Sequence, residues 1–257
     1  MRVLFCGVGE AFDEAHPNTC LLVEATAQGQ RREILLDCGF TAPYAYWRHG
    51  PALNASPDGP DLVWISHFHG DHFMGFPALA ARMMQAGRTR ELLVAGRQGV
   101  GMAVTRALDL AYPTLREKLG FTLSYRECEP GEPMELLGLT LTGAYTTHNE
   151  PCLALRLEDD AASLYYSGDG APAPECLALA WGVGLIVQET FSLAPGAVGH
   201  GSVEETVELA RMANPGALAL VHLERTLRSD RMPEVIAALD GAGYVAQAGS
   251  IHDVAAS

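Results

Sequence analysis

The chain has 257 residues, 48% of them hydrophobic, and a formal net charge of −14. That length suits one large domain or two small ones around a sizeable core, with the composition of an ordinary globular protein. The acidity disfavours nucleic acid as a partner, because binding it would need a local basic patch. The densest basic group, Arg82, Arg88, Arg90 and Arg97, reads as a solvated helix end and loop.

In chain order, "RVLF" (2–5), "TCLLVEA" (19–25), "EILLD" (33–37) and "DLVWIS" (61–66) are strand-like runs bounded by Gly, Pro, Asn or Asp. The opening "CGVGEAF" has the glycines of a dinucleotide loop but lacks the third one and the helix after it, so it reads as a turn between strands. "GPALNASPDGP" (50–60) reads as a surface loop within one domain, and the aromatics Tyr44, Tyr46 and Trp47 before it read more readily as a packed surface loop than as a pocket wall. "FPALAARMMQAG" (76–87) is a helix with Pro77 in its first turn and Gly87 at its end. Strands follow at 91–95, 121–127, 139–145, 153–159 and 163–167, with a helix near 99–111. The remainder alternates: strand 184–189, helix 202–214 opened by Ser202 and Glu205 as a capping box, strand 217–222, and helix 233–243 with Val235, Ile236 and Leu239 on one side. Strands with interspersed helices predict sheets covered by helices.

No apolar run reaches the roughly 18 residues of a membrane helix, and "MRVLFCGVGE" is too short and too soon interrupted for a signal peptide. The expectation is a soluble cytoplasmic protein. Six scattered cysteines, Cys6, Cys20, Cys38, Cys128, Cys152 and Cys176, fit buried free thiols better than a disulfide framework.

The chemistry concentrates in "SHFHGDHFMGF" (66–76). His67 and His69 follow a strand two residues apart, so both rings can face one ion. Gly70 permits a sharp turn, and Asp71 and His72 then face a neighbouring point, which suggests two ions. Further ligands should also end strands, as His148, Asp169 and His222 do. Five imidazoles and two carboxylates favour zinc over calcium or magnesium, with manganese or iron as the other candidates. A lone strand-end histidine is usually structural; the dense run changes that weighting. Of the others, His16, His49 and His252 carry no expected chemistry. His200, in "VGHGS", lies where Glu189 could bond its ring and hold it as an acid.

These residues resemble the metallo-β-lactamase superfamily over nearly the full length, and its ribonuclease Z-like members most. "SHFHGDHFMGFPAL", "TTHN", "YSGD", "QETF", "GHGS" and "LVHLE" occur in that branch's order. The resemblance implies a four-layer αββα sandwich in a single domain, 1–257. It places His67, His69 and His148 on one zinc, Asp71, His72 and His222 on the other, and Asp169 between them. It also pairs Glu189 with His200 behind the ligands, and implies a homodimer. Two departures stand out. Ribonuclease Z enzymes commonly carry a tRNA-clamping arm between the third histidine and the bridging aspartate, where this chain has 169 − 148 = 21 positions filled by two strands. The segment after Cys38, "GFTAPYAYWRHG", also differs from the family's Glu-Gly-Thr pattern.

The expected function is therefore a two-zinc hydrolase, a phosphodiesterase for a small or nucleotide phosphodiester, with Asp71, Glu189 and His200 as its catalytic groups. The alternatives are a ribonuclease Z-type tRNA 3′ endonuclease, a lactone or thioester hydrolase on the same centre, and an iron-dependent redox protein of this fold. The Glu189–His200 pair suits a phosphate's extra charge, and His69 in place of a carboxylate leans away from a di-iron redox site.

Overall fold

The molecule, described as a computed structural model over residues 1–256, is built on two seven-stranded sheets packed face to face. The first contains β1 (Arg2–Gly7), β2 (Cys20–Ala27), β3 (Gln30–Leu36), β4 (Leu62–Ile65), β5 (Leu92–Gly96) and β6 (Leu123–Glu127). The second contains β7 (Met134–Leu136), β8 (Leu139–Tyr145), β9 (Leu153–Glu158), β10 (Ser163–Tyr166), β11 (Leu185–Glu189), β12 (Leu218–Val221) and β13 (Tyr244–Val245). The last strand, β14 (Ile251–Asp253), returns to the first sheet and pairs with β1. The strand orders are β14-β1-β2-β3-β4-β5-β6 and β13-β12-β11-β10-β9-β8-β7.

Both sheets repeat one scheme. Four antiparallel strands pass into three parallel additions, at β3 in the first sheet and β10 in the second. Each half also turns one hairpin on two left-handed residues, Gln28–Gly29 and Leu137–Gly138, the backbone that a tight two-residue hairpin needs. The tips meet: a Cβ on Gly138 would come within 3.2 Å of the Gln28 side chain. No sequence repeat accompanies this likeness.

Helices cover the outer faces. On the first sheet lie α1 (Ala42–His49), α2 (Gly70–Phe73), α3 (Phe76–Gln85), α4 (Val100–Ala111) and α5 (Leu115–Lys118). On the second lie α6 (Pro174–Ala180), α7 (Val203–Ala213), α8 (Arg225–Asp230) and α9 (Met232–Leu239). The period-2 alternation of strands divides the core accordingly. Val3, Phe5, Leu21, Val23, Ile34 and Trp64 face Leu141, Leu155, Leu157, Tyr166 and Val187 between the sheets. Leu4, Leu22, Leu35, Val63 and Ile65 turn outward onto Phe76, Leu79 and Met83 of α3 and Val104 and Leu108 of α4. Tyr165, Ile186 and Leu220 turn outward onto Leu179, Leu209 and Val235. Where both faces are buried, as in β4, β5 and β12, the strands read as near-continuous apolar runs. This is the expected four-layer αββα sandwich.

All six cysteines are free and buried. The capping box at Ser202 forms: its hydroxyl accepts from the Glu205 N–H at 3.2 Å and donates to the Glu205 carboxylate at 2.6 Å. No helix among the described residues is long and apolar enough to cross a membrane.

Three local expectations change. Residues 42–49 form a helix with Pro43 in its first turn. There Tyr46 is buried with its hydroxyl donating to the Ser56 carbonyl at 3.0 Å, Trp47 lies under Arg82, and Tyr44 bonds Arg48. Ile236 does not share the buried side of α9 with Val235 and Leu239 but is 60% exposed. Arg88 is no solvated side chain. It is 1% exposed, lies 5.4 Å over the Phe121 ring, and donates to the carbonyls of Asp58, Gly59, Arg90 and Glu91. Replacing it with Met would leave those carbonyls without a donor, so R88M should lower unfolding free energy by about 2–4 kcal/mol in urea titrations. Metal content of the folded fraction should not change.

Candidate metal centre

The seven predicted ligands and the Glu189–His200 pair converge at one end of the sandwich. His67 and His69 leave β4, Asp71 and His72 sit on the single turn of α2, and His148, Asp169 and His222 follow β8, β10 and β12. Glu189 is the last residue of β11, and His200 precedes α7. The ends of inner strands thus aim the side chains at one point, while the strands themselves are locked by the core.

The donor atoms fall into two groups, each within 4.8 Å: His67, His69, His148 and Asp169, then Asp71, His72, Asp169 and His222. Asp169 belongs to both. The spacings are those of atoms sharing a partner rather than bonding each other. His72 Nε2 is 3.2 Å from both Asp71 Oδ2 and Asp169 Oδ1, and His222 Nε2 is 3.4 and 3.5 Å from the same two oxygens. His67 Nε2, His72 Nε2 and Asp169 Oδ1 are buried and have no hydrogen bond. An unpaired buried polar group costs about 1–3 kcal/mol. Three of them, spread over the two groups that share Asp169, fit a site whose further partners are cations.

Outer hydrogen bonds orient the rings. Asp37, fully buried, accepts from His72 Nδ1 (2.7 Å), Tyr166 Oη (2.6 Å) and Ser66 Oγ (2.8 Å) on one oxygen, and from the Ser66 N–H (2.7 Å) on the other. His148 Nδ1 bonds the Gly199 carbonyl, and His67 Nδ1 lies 3.0 Å from Ser66 Oγ. Such contacts fix the tautomer, leaving the other nitrogen for metal. Asp37 was not among the predicted site residues; its only signal is a carboxylate directly after the apolar run 34–36 that ends β3. Two backbones are held left-handed, Asp37 (φ 60°) and His222 (φ 58°), the latter with its N–H on the Val8 carbonyl at 2.9 Å. Non-glycine residues there cost on the order of 1–3 kcal/mol, a strain often stored at functional sites. Gly39 serves close approach instead. A Cβ on it would stand 1.7 Å from the Asp71 carbonyl, so the 38–40 turn can touch α2 only without a side chain.

Beside the groups, His200 Nδ1 bonds Glu189 Oε1 at 2.8 Å, and Glu189 Oε2 accepts the Gly201 N–H at 2.8 Å. The His200 ring stacks on Phe191 at 4.6 Å and lies 5.3 Å from His148 and 5.9 Å from His222, centroid to centroid. Tyr44, Tyr46 and Trp47 do not line this site.

The electrostatics are those of ligands that must shed protons. Burial would raise the Asp71 and Asp169 carboxyls, but neighbouring imidazoles, His72 and His222 above all, hold both well below the usual range. Burial lowers His67 and His148, which are therefore neutral donors. In His72 and His222 burial is outweighed by the carboxylates, Asp169 foremost; His72 is raised well above its ordinary value and His222 to about 9.

An αββα sandwich carrying such a bipartite histidine–aspartate centre defines a metal-dependent hydrolase with a binuclear site. Residues 32–223 match the family described as "Beta-lactamase superfamily domain", and the chain belongs to that superfamily. A curated relative, ribonuclease BN of Salmonella typhimurium, is 28% identical over 87% of this chain and 89% of its own length. Human tRNase Z, short form, superposes with a TM-score of 0.76 at 16% identity, covering 99% of each chain. The metallo-β-lactamase fold protein YhfI from Bacillus subtilis superposes at 0.75 with 20% identity, covering 98% of each.

Because His72 and His222 hold protons in the metal-free centre, metal uptake at pH 7 should release protons. Apparent affinity should rise with pH while those rings still bind protons, to about pH 9 for His222, and fall on acidification. Calorimetric titration in buffers of different ionisation enthalpy measures this directly. Equal heats in all buffers would contradict the protonation pattern.

Proposed function

We propose that the protein is a two-zinc phosphodiesterase acting on a small or nucleotide phosphodiester. The observation that carries this reading is the Glu189–His200 pair set beside the two ligand groups. A thioester's leaving thiolate needs no such protonating group, whereas a phosphodiester's poor leaving alkoxide does. Against a lactone, whose leaving group is also an alkoxide, the pair favours a phosphodiester because it suits the phosphate's extra charge. Zinc suits the donor set. His148 Nε2 and His69 Nδ1 are 3.1 Å apart, close to the roughly 3.3 Å edge of a tetrahedron with Zn–N bonds of about 2.0–2.1 Å. Manganese and iron are the alternatives that such ligands admit. In this reading His67, His69 and His148 would hold one ion and Asp71, His72 and His222 the other, with Asp169, common to both groups, shared between them.

When bound, the two ions supply Lewis acidity that lets water ionise near neutral pH and offsets charge on phosphoryl oxygens. The protein's own groups do the rest. Asp71, kept ionised by its imidazole neighbours, orients the attacking water by accepting a hydrogen bond. As the water oxygen, one proton already released to solvent, bonds phosphorus and the ester P–O bond breaks, the leaving oxygen takes a proton from His200 Nε2. Glu189 holds the opposite nitrogen and so orients the ring with Nε2 towards the ligand groups. Phe191 keeps the ring flat against the site.

The names of the ribonuclease relatives support phosphodiester chemistry, and the 28% identity to ribonuclease BN keeps an RNA substrate, the tRNA of the ribonuclease Z resemblance, as the second reading. Two features set small substrates ahead. Between His148 and Asp169 the chain has only β9 and β10, with no room for a clamping arm, and the net charge of −14 repels a polyanion. We further propose one domain over 1–257, a cytoplasmic location and a homodimer, a state that gel filtration with light scattering would test.

Two outcomes check the reading. Zinc-loaded protein should cleave bis-p-nitrophenyl phosphate and 2′,3′-cyclic nucleotides better than precursor tRNA. Efficient tRNA processing with steep salt dependence would instead point to a basic surface and the second reading. H200A should keep both ions and lose about 10²–10⁴-fold in kcat with little change in KM. The loss should shrink for p-nitrophenol esters, whose leaving group needs no proton. Equal, small losses for good and poor leaving groups would make His200 a packing residue.

A further inference from the structure

Away from the histidine centre, a cavity of about 630 Å³ opens between α8, α9 and the strand segment 244–248. Its size lies within the 300–1,000 Å³ range of small-molecule sites. Met232, Ile236, Leu239, Tyr244 and Val245 make an apolar wall, and Arg228 lies among them. His16, Gln247 and Tyr244, whose hydroxyl bonds His252 Nδ1 at 2.9 Å, are the other side chains with hydrogen-bonding groups at its border, and no carboxylate lines it. In a chain with 31 acidic residues, that exclusion is a property of this place.

Arg228 is the telling group. It is only 9% exposed. Its guanidinium makes two long bonds, to the carbonyls of Ala246 (3.4 Å) and Val8 (3.3 Å), while its Nε is buried without a partner. Asp13, on the loop between β1 and β2, acts on it electrostatically but makes no ion pair with it among the described residues. A buried cation is normally paired, because an unpaired one costs several kcal/mol. Arg88, the other deeply buried arginine, shows the satisfied alternative, with every bond assigned to a carbonyl. The Arg228 Nε is enclosed, but Nη1 and Nη2 each make only one long bond, and Arg228 lines the apolar cavity.

We propose that this cavity binds an amphiphilic monocarboxylate, with its carboxylate on Arg228 and its aliphatic body against α9 and β13. The side chains lining the cavity offer one cation, partly offset by Asp13 nearby, which suits a single negative charge. His16, lowered by burial and by Arg228, adds no second cation, so a phosphate dianion would be undercompensated. The exposed Ile236 then has a place at the mouth of the cavity, which its position off the buried side of α9 otherwise leaves unexplained.

The test is calorimetric titration of the metal-loaded full chain with octanoate, with octanol as the uncharged control. Octanoate should bind one per chain, at least about tenfold more tightly than octanol, as expected for a charge-assisted pair. R228M should weaken octanoate at least about tenfold while bringing the two ligands level. I236D, a change at an exposed position that leaves Arg228 in place, should weaken octanoate by a similar factor through repulsion at the mouth. It keeps the proposal open to refutation should R228M fail to fold. No binding at millimolar octanoate, equal binding of octanoate and octanol, or unchanged binding in I236D would overturn it. The last result would place the carboxylate elsewhere, the metal centre included.

Discussion

The hydrogen bonds that converge on Asp37 tie the two sheets together at the point where the chemistry sits. One carboxylate oxygen accepts from His72 on α2, from Ser66 after β4 and from Tyr166 at the end of β10. Two of these donors belong to the first sheet's side of the sandwich and the third to the second. A buried carboxylate is stable only when so supplied. Removing any donor would therefore both loosen the seam and free the His72 ring to rotate. Metal geometry and sheet packing are in this way one constraint, and the left-handed backbone at Asp37 is the local strain accepted to meet it.

The same economy appears in the shared carboxylate Asp169. Its oxygens lie near His67 on one side and His72 and His222 on the other. The two ligand groups cannot be displaced independently, because each contributes charge that sets the other's protonation. Glu189 extends the network outward. Burial raises its carboxyl, and the bond from His200 opposes that rise. A line of alternating acid and imidazole groups thus runs from Asp37 through His72, Asp169 and His222 to Glu189 and His200.

Much of this is legible in the sequence because crowded histidines have no structural use. The run from His67 to His72 announces itself, and strand ends locate His148, Asp169 and His222. The layers follow from alternation of strands and helices. What escapes is whatever depends on partners distant in the chain. Asp37 looks like any residue that ends a strand; only Tyr166, 129 positions away, reveals its role. Arg88 looks solvated because its acceptors are backbone carbonyls, which no side-chain pattern records. Helix α1 is hidden by Pro43 and by aromatics that suggest a loop, and Ile236 keeps helical spacing while facing a cavity instead of the core. The hairpin at Leu137–Gly138 is equally silent, since leucine is an unusual choice for a left-handed turn.

The pairing of β14 with β1 carries a consequence for the order in which the chain can mature. During synthesis β1 is made first and β14 last of all the strands, yet they are neighbours. Until 251–253 emerge, β1 presents an open edge of unpaired N–H and C=O groups beside an apolar sheet, the kind of template that recruits other chains. The closing strand brings only three residue pairs, Arg2 with Asp253, Val3 with His252 and Leu4 with Ile251. So short a clasp can seal a sheet already assembled but contributes little to assembling it. A nascent chain stalled before that point would leave β1 as an unpaired margin, which makes the arrival of 251–253 the step at which that edge of the first sheet is closed.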